Sequence, residues 1–107
     1  MKICSYQTWK NNNPGLIMYE SWDNTKTWIR DVVGPTMTGH GWKLCIHEYD
    51  YDLFSQEKPK KMAVRLIEEQ FGEDWIFGKE FVYHPYRYPG NNGYQDSLFV
   101  WYKEIEN

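Results

Sequence analysis

The clearest pattern of apolar and polar positions lies between residues 59 and 71. Apolar residues recur there at the spacing of an amphipathic helix, and charged residues fill most of the positions between them. Pro59 suits the first helical turn, and Gly72 suits the position after the last one. The apolar stripe consists of Met62, Ala63, Leu66, Ile67 and Phe71. This pattern predicts a helix with one buried face.

Residues 42–51 alternate with a period of two, as a strand does. Both sides of the predicted strand carry apolar mass, which is typical of a central strand with both faces covered. One side consists of Trp42, Leu44 and Ile46, and the other of Cys45, His47, Tyr49 and Tyr51. We therefore expect this strand inside a sheet.

The first third of the chain predicts a hairpin followed by a helix. Residues 2–9 are rich in strand formers, residues 11–15 form an Asn/Pro/Gly turn, and residues 16–20 form a returning strand. Ser21 or Asp23 caps a helix that runs to about Val33, where Gly34 and Pro35 stop it. Residues 36–41 are then a flexible loop.

Two further strands are predicted near the end of the chain, at residues 79–84 and 98–105. The full order is ββαβαββ, which indicates an α+β fold in a single domain. We expect a mixed or antiparallel sheet of about five strands with two helices packed on it.

The composition is unusual in its aromatic residues. They make up 19% of the chain, as 6 Trp, 9 Tyr and 5 Phe. A small core cannot hide so many rings, so we expect several tyrosines at the surface. Two cysteines, Cys4 and Cys45, are interpreted as free thiols in adjacent strands.

Charge and hydropathy exclude some classes of partner. The net charge of −3 comes from 15 acidic and 12 basic residues, without the positive excess that a general nucleic-acid binder needs. No segment approaches the roughly 20 apolar residues of a membrane helix, and no apolar run has the length of a signal sequence. We expect a cytoplasmic protein without membrane contact.

The segment between the last two strands is the leading candidate for a binding site. Residues 85–96 read as a Pro/Gly/Asn loop that carries tyrosines and an arginine, the residue types that dominate contact energy in binding surfaces. The predicted binding residues are Tyr83, Tyr86, Arg87, Tyr88, Asn91, Asn92, Tyr94 and Trp101. The alternative is a stiff loop whose tyrosines fold back over the core.

The sequence also contains short patterns that metal sites, hydrolases and anion-binding sites use. Cys45 and His47 stand as one isolated Cys-x-His pair that could share a strand face, which falls short of a four-ligand zinc site. Acidic residues cluster near Asp50 and Asp52, as in a small hydrolase, and basic residues cluster at positions 58–61. No catalytic residue, metal site or cofactor is predicted.

The sequence therefore favours a small non-enzymatic protein-binding module. A protein that binds a small molecule, such as a nucleotide or sugar, is the alternative, and a small hydrolase is the second. A homodimer through a sheet edge, such as residues 98–102, is compatible with either binding role. In its acidic, aromatic-rich composition the chain resembles accessory proteins of bacteriophages, which implies an accessory or inhibitor role in the host cytoplasm.

Overall fold

A computed structural model describes residues 1–19, 32–90 and 93–105, with the backbone alone at residues 88–90, 93 and 94. The fold is α+β, with one mixed sheet of four strands and five helices in the described part of the chain. The class is confirmed, whereas the predicted five strands, two helices and ββαβαββ order differ from it in detail. The elements are β1 (Lys2–Ser5), α1 (Tyr6–Asn11), α2 (Val33–Gly39), β2 (Lys43–Tyr51), α3 (Leu53–Gln56), α4 (Pro59–Gln70), α5 (Glu73–Ile76), β3 (Lys79–Gly90) and β4 (Gly93–Glu104).

The sheet has the strand order β1-β3-β4-β2. The short β1 is parallel to β3, and the other two pairs are antiparallel. β3 and β4 form a long hairpin in continuous register from Lys79 opposite Glu104 to Gly90 opposite Gly93. β4 therefore lies inside the sheet, and residues 98–102 cannot be the edge that the sequence analysis considered.

Apolar side chains pack on both faces of the sheet. Helix α4 covers one face, with Met62, Ala63, Leu66 and Ile67 against Phe81, Leu98, Val100 and Ile46, which we call the first cluster. Helices α1 and α2 cover the other face, where Tyr6, Met37, Trp42, Val82, Phe99 and Trp101 form the second cluster. The sheet is thus the middle layer between two sets of helices.

The predicted N-terminal hairpin is wrong. β1 ends at Ser5, because the Ser5 hydroxyl accepts a hydrogen bond from the Thr8 backbone N–H at 3.1 Å and caps α1. Residues 16–19 form no strand. Local capping therefore overrides the strand propensity of residues 6–9.

The predicted helix stop at Gly34 and Pro35 is also wrong. The predicted helix, from its cap at Ser21 or Asp23 through residue 31, lies outside the described residues, and α2 begins at Val33 with Gly34 and Pro35 in its first turn. Proline is accepted there because the first helical N–H groups have no partner within the helix. Part of the predicted loop, through Gly39, is consequently helical.

The predictions for β2 and α4 are confirmed in extent, but the position of β2 is not. β2 is an edge strand rather than a central one, and Leu44, Tyr49 and Tyr51 are half exposed. Because β1 and β2 lie at opposite edges, Cys4 and Cys45 are not in adjacent strands, although both are free thiols. Within the described ranges, no helix has the length and apolar character needed to cross a membrane.

Candidate protein-binding surface

The predicted loop at residues 85–96 is mostly strand. β3 continues to Gly90 and β4 starts at Gly93, so the predicted loop is wrong except for residues 91 and 92, which lie outside the described residues. β3 contains Pro85 and Pro89, beyond the last pairing of β1 at Tyr83. Because β3 is an edge there, each proline can sit where its missing N–H would point away from β4.

Arg87 and Asp96 form a paired unit across this hairpin. The Arg87 Nε donates to Asp96 Oδ1 at 2.8 Å, and its Nη2 donates to Asp96 Oδ2 at 3.0 Å and to the Ser55 hydroxyl at 3.2 Å. The Phe54 backbone N–H donates to the same carboxylate at 2.9 Å. These contacts, the arginine first, hold the pKa of the buried Asp96 carboxyl below its usual range.

The Arg87–Asp96 unit is structural. It joins β3 and β4 to the start of α3, and the Asp96 side chain is fully buried. The Arg87 guanidinium, predicted as a contact with a partner, is thus bound by a carboxylate of its own chain.

The other predicted binding residues occupy different environments. Trp101 is 2% exposed and belongs to the second cluster, so it contributes no surface. Tyr83 packs against the first cluster, and burial raises the pKa of its hydroxyl. Tyr86 is half-buried in β3. Asn91, Asn92 and the side chains of Tyr88 and Tyr94 lie outside the described residues.

The backbone direction of β2 follows from the hairpin register. The Ile105 N–H donates to the Gly78 C=O at 2.8 Å, just past the end of β4, so odd-numbered residues of β4 turn their polar groups toward β3. The backbone N–H and C=O groups of Phe99 therefore point away from β2, and those of its partner His47 point away from β4. The same alternation turns the N–H and C=O groups of His47, Tyr49 and Tyr51 to the outside of the sheet, where the Tyr51 N–H donates to the Asp50 carboxylate at 2.8 Å. We call these outward groups the β2 edge.

The side chains along the β2 edge add aromatic surface to these polar groups. The His47 ring stacks on Phe99 with centroids 4.2 Å apart. Tyr49 and Tyr51, on the same side of the strand, are 54% and 50% exposed. The Gln95 amide donates to the Tyr51 hydroxyl at 3.2 Å, which holds that ring over the sheet. The predicted surplus of exposed tyrosine is therefore located in part on β2.

The cysteines and His47 are not arranged for metal binding or for thiol chemistry in the described part of the chain. The β-bulge between Leu44 and Ile46 places Cys45 against the first cluster while His47 stacks on the opposite face, so the expected shared face is wrong. In the described part of the chain, no three His, Cys, Asp or Glu side chains group as metal ligands. Burial raises the pKa of the Cys45 thiol to about 12 and also raises that of Cys4, so neither is a ready nucleophile.

Arg65 follows the basic cluster of residues 58–61 along α4, and its charge is balanced by two carboxylates. The Arg65 guanidinium donates to Glu57 at 2.8 Å and to Glu69 at 3.1 Å. Lys58, Lys60 and Lys61 remain exposed around this network. The arrangement is that of a solvated helix start with an ion-pair network.

No protein-family model, curated protein or solved structure matches the chain. The functional argument therefore depends on the residues themselves. Tyr49 and Tyr51 were absent from the predicted site, because exposure on a strand depends on strand order, which a single sequence does not give. Their alternation was visible, but it was interpreted as a sign of a covered strand.

Proposed function

We propose that this chain is a non-enzymatic protein-binding domain that accepts an extended segment of a partner as an added strand along β2. The observation that carries the proposal is a nine-residue edge strand with half-exposed tyrosines and outward polar groups. Strand addition gives affinity through main-chain hydrogen bonds and selectivity through alternate side chains.

The other sheet edges are poorer acceptors, which favours β2. β1 is only four residues long. The distal part of β3 carries Pro85 and Pro89, which remove outward donors, as proteins do to protect an edge from pairing. β2 contains no proline, and its irregularity lies near its start, between Leu44 and Ile46. Residues 46–51 therefore present the longest regular edge among the described strands.

The two faces of β2 would select different side chains on the partner. Tyr49 and Tyr51 offer large amphipathic rings on one face, and tyrosine gives contact area at a low entropy cost. Glu48 and Asp50 alternate with them and project to the opposite face. Tyr86 faces Tyr49 across Ser97 in the cross-strand register, so it extends the aromatic face onto β3. We expect a segment with apolar or aromatic residues on one side and basic or polar residues on the other.

The test compares two replacements of one residue in affinity capture from the native cells. Tyr49→Ala removes the ring, whereas Tyr49→Pro removes the ring and the outward N–H without removing a hydrogen bond to β4. A partner bound by strand addition is captured by the wild type, weakened by Tyr49→Ala and lost with Tyr49→Pro. Thermal unfolding of each variant establishes that it is folded.

A matched control is Lys10→Ala, on the exposed face of α1 and away from β2. It should capture the same partner as the wild type. The proposal fails if folded Tyr49→Pro captures that partner as well as Tyr49→Ala does. Capture of a second copy that is lost with Tyr49→Pro would instead indicate a homodimer through the same edge.

A further inference from the structure

Phe77 is the most exposed large apolar side chain in the described part of the molecule, at 86%. It follows α5 with φ −59° and ψ 134°, and Gly78 follows with φ +77°, which are the angles of a type II turn. The Ile105 N–H donates to the Gly78 C=O at 2.8 Å and fixes this turn to the end of β4. The turn therefore holds the Phe77 ring outward instead of leaving it on a loose loop.

A hollow with both apolar and charged walls lies at the Phe77 turn, and the Phe77 ring forms part of its wall. Its volume is about 590 Å³, and Met1, Phe71, Ile76 and Ile105 contribute its apolar walls. This volume falls in the range of roughly 300–1,000 Å³ that holds small ligands, so a phenyl ring can enter it. Met1 and Ile105 are 51% and 38% exposed, so the apolar lining reaches the surface. We call the Phe77 ring together with this hollow the Phe77 patch.

We propose that the Phe77 patch binds the same patch of a second copy across a two-fold axis. In such an interface both copies use the same surface, so each contact of residue i with residue j is repeated as a contact of j with i. The patch must therefore complement itself. A protruding ring beside a partly apolar hollow meets this requirement, because each Phe77 can pack against the apolar wall of the other copy's hollow. A buried aromatic anchor at the centre of a contact is the usual source of its affinity.

The lining of the hollow carries charges of both signs. Lys2, Lys79, Glu68 and Glu73 all belong to it. Charges of one sign would repel the other copy, whereas this mixture allows Lys2, whose side chain is 67% exposed, to approach a glutamate of the other copy. Lys79 is engaged within its own chain, because it donates to the Trp75 C=O at 2.6 Å and pairs with Glu104 at 3.5 Å. The charge pattern therefore favours a second copy over a strongly charged partner.

This interface is independent of the β2 edge. Phe77 and Ile105 lie where β3 begins and β4 ends, whereas Tyr49 and Tyr51 pair with residues near the start of β4. One ring packed against one hollow is a small contact beside the roughly 800 Å² per partner of a standard interface, so we expect a weak dimer that forms with rising concentration.

Sedimentation velocity from micromolar to millimolar concentration tests the interface. The wild type should shift from monomer to dimer, and Phe77→Ser should weaken dimer formation about tenfold or more, as removal of a central anchor does. Ile17→Ser is the matched control, since Ile17 is 62% exposed and lies outside the patch. It should leave the dimer unchanged. Both variants replace exposed side chains and should unfold at the wild-type temperature.

Two results would overturn the dimer at the Phe77 patch. One is a wild-type chain that stays monomeric at the highest concentration. The other is a dimer that survives Phe77→Ser but is lost in Tyr49→Pro, which would place the contact at the β2 edge. Amide shifts that change with concentration near Gly78 and Ile105, and not along β2, would support the patch directly.

Discussion

The Arg87 guanidinium holds the fully buried Asp96 carboxylate with two hydrogen bonds, at 2.8 and 3.0 Å. In Arg87→Ala that carboxylate would keep only the hydrogen bond from the Phe54 N–H among the described residues. A buried charge without its counter-ion is costly, so we expect the free energy of unfolding to fall by about 2–3 kcal/mol. This is less than for a fully buried pair, because Arg87 is 37% exposed. Denaturant unfolding measures it.

Arg65→Ala is the control for this prediction. Arg65 also forms hydrogen bonds to two carboxylates, but it lies in solvent, where ion pairs contribute little. Arg65→Ala should lower the free energy of unfolding clearly less than Arg87→Ala does. Equal losses would show that burial of Asp96 does not matter to the pair.

His84 predicts a dependence of stability on pH. Burial lowers the pKa of its imidazole from 6.5 to about 4. Between these values the unfolded chain takes up a proton that the folded chain refuses, so stability falls as the pH drops from 6.5 to 4. Each pH unit of this interval corresponds to about 1.4 kcal/mol, which gives about 3 kcal/mol in total.

His84→Phe tests the assignment by removing the titrating group while keeping a ring beside Tyr6. Denaturant unfolding at a series of pH values should show a flatter dependence between pH 4 and 6.5 than the wild type. Ile17→Ser, an exposed replacement that involves no titrating group, should keep the wild-type slope. An unchanged slope in His84→Phe would contradict the prediction.

Trp101 should behave as a core residue and not as a contact residue. Trp101→Ala removes a ring that is 2% exposed, and we expect the free energy of unfolding, measured with denaturant, to fall by about 3–5 kcal/mol. Phe77→Ala, which truncates a ring that is 86% exposed, should change stability by less than about 0.5 kcal/mol. A similar effect of both replacements would contradict the placement of Trp101.

The sequence predicted the elements whose signal is local and periodic. The extent of β2 and α4 follows from a period of two and an apolar stripe, and both agree with the structure within a few residues. The end of β1 was also readable, because Ser5 and Thr8 have the spacing of a helix cap. Strand propensity in residues 6–9 was given more weight than that cap.

Prolines misled the prediction in two places. Pro35 was interpreted as the stop of one helix, although it lies in the first turn of another. Pro85 was interpreted as the start of a loop, although an edge strand accepts proline when its nitrogen points outward. The difference depends on which neighbour faces the residue, and that is a property of the assembled sheet.

The candidate site was only partly predictable for the same reason. The surplus of tyrosine was visible in the composition, but the exposure of Tyr49 and Tyr51 depends on β2 lying at the edge. The partnership of Arg87 with Asp96 likewise requires the hairpin register. Neither can be read from one sequence without the strand order.

Hydrogen exchange of the backbone amides of β2 tests the open edge most directly and requires no partner. Amides that point outward exchange with solvent, whereas amides bonded to β4 are protected. The amides of His47 and Tyr49 should therefore exchange fast, and those of Ile46, Glu48 and Asp50 slowly. The Tyr51 amide is left out of the comparison, because it donates to the Asp50 carboxylate at 2.8 Å. Equal protection of both sets in the monomer would show that the β2 edge is already covered and would contradict strand addition.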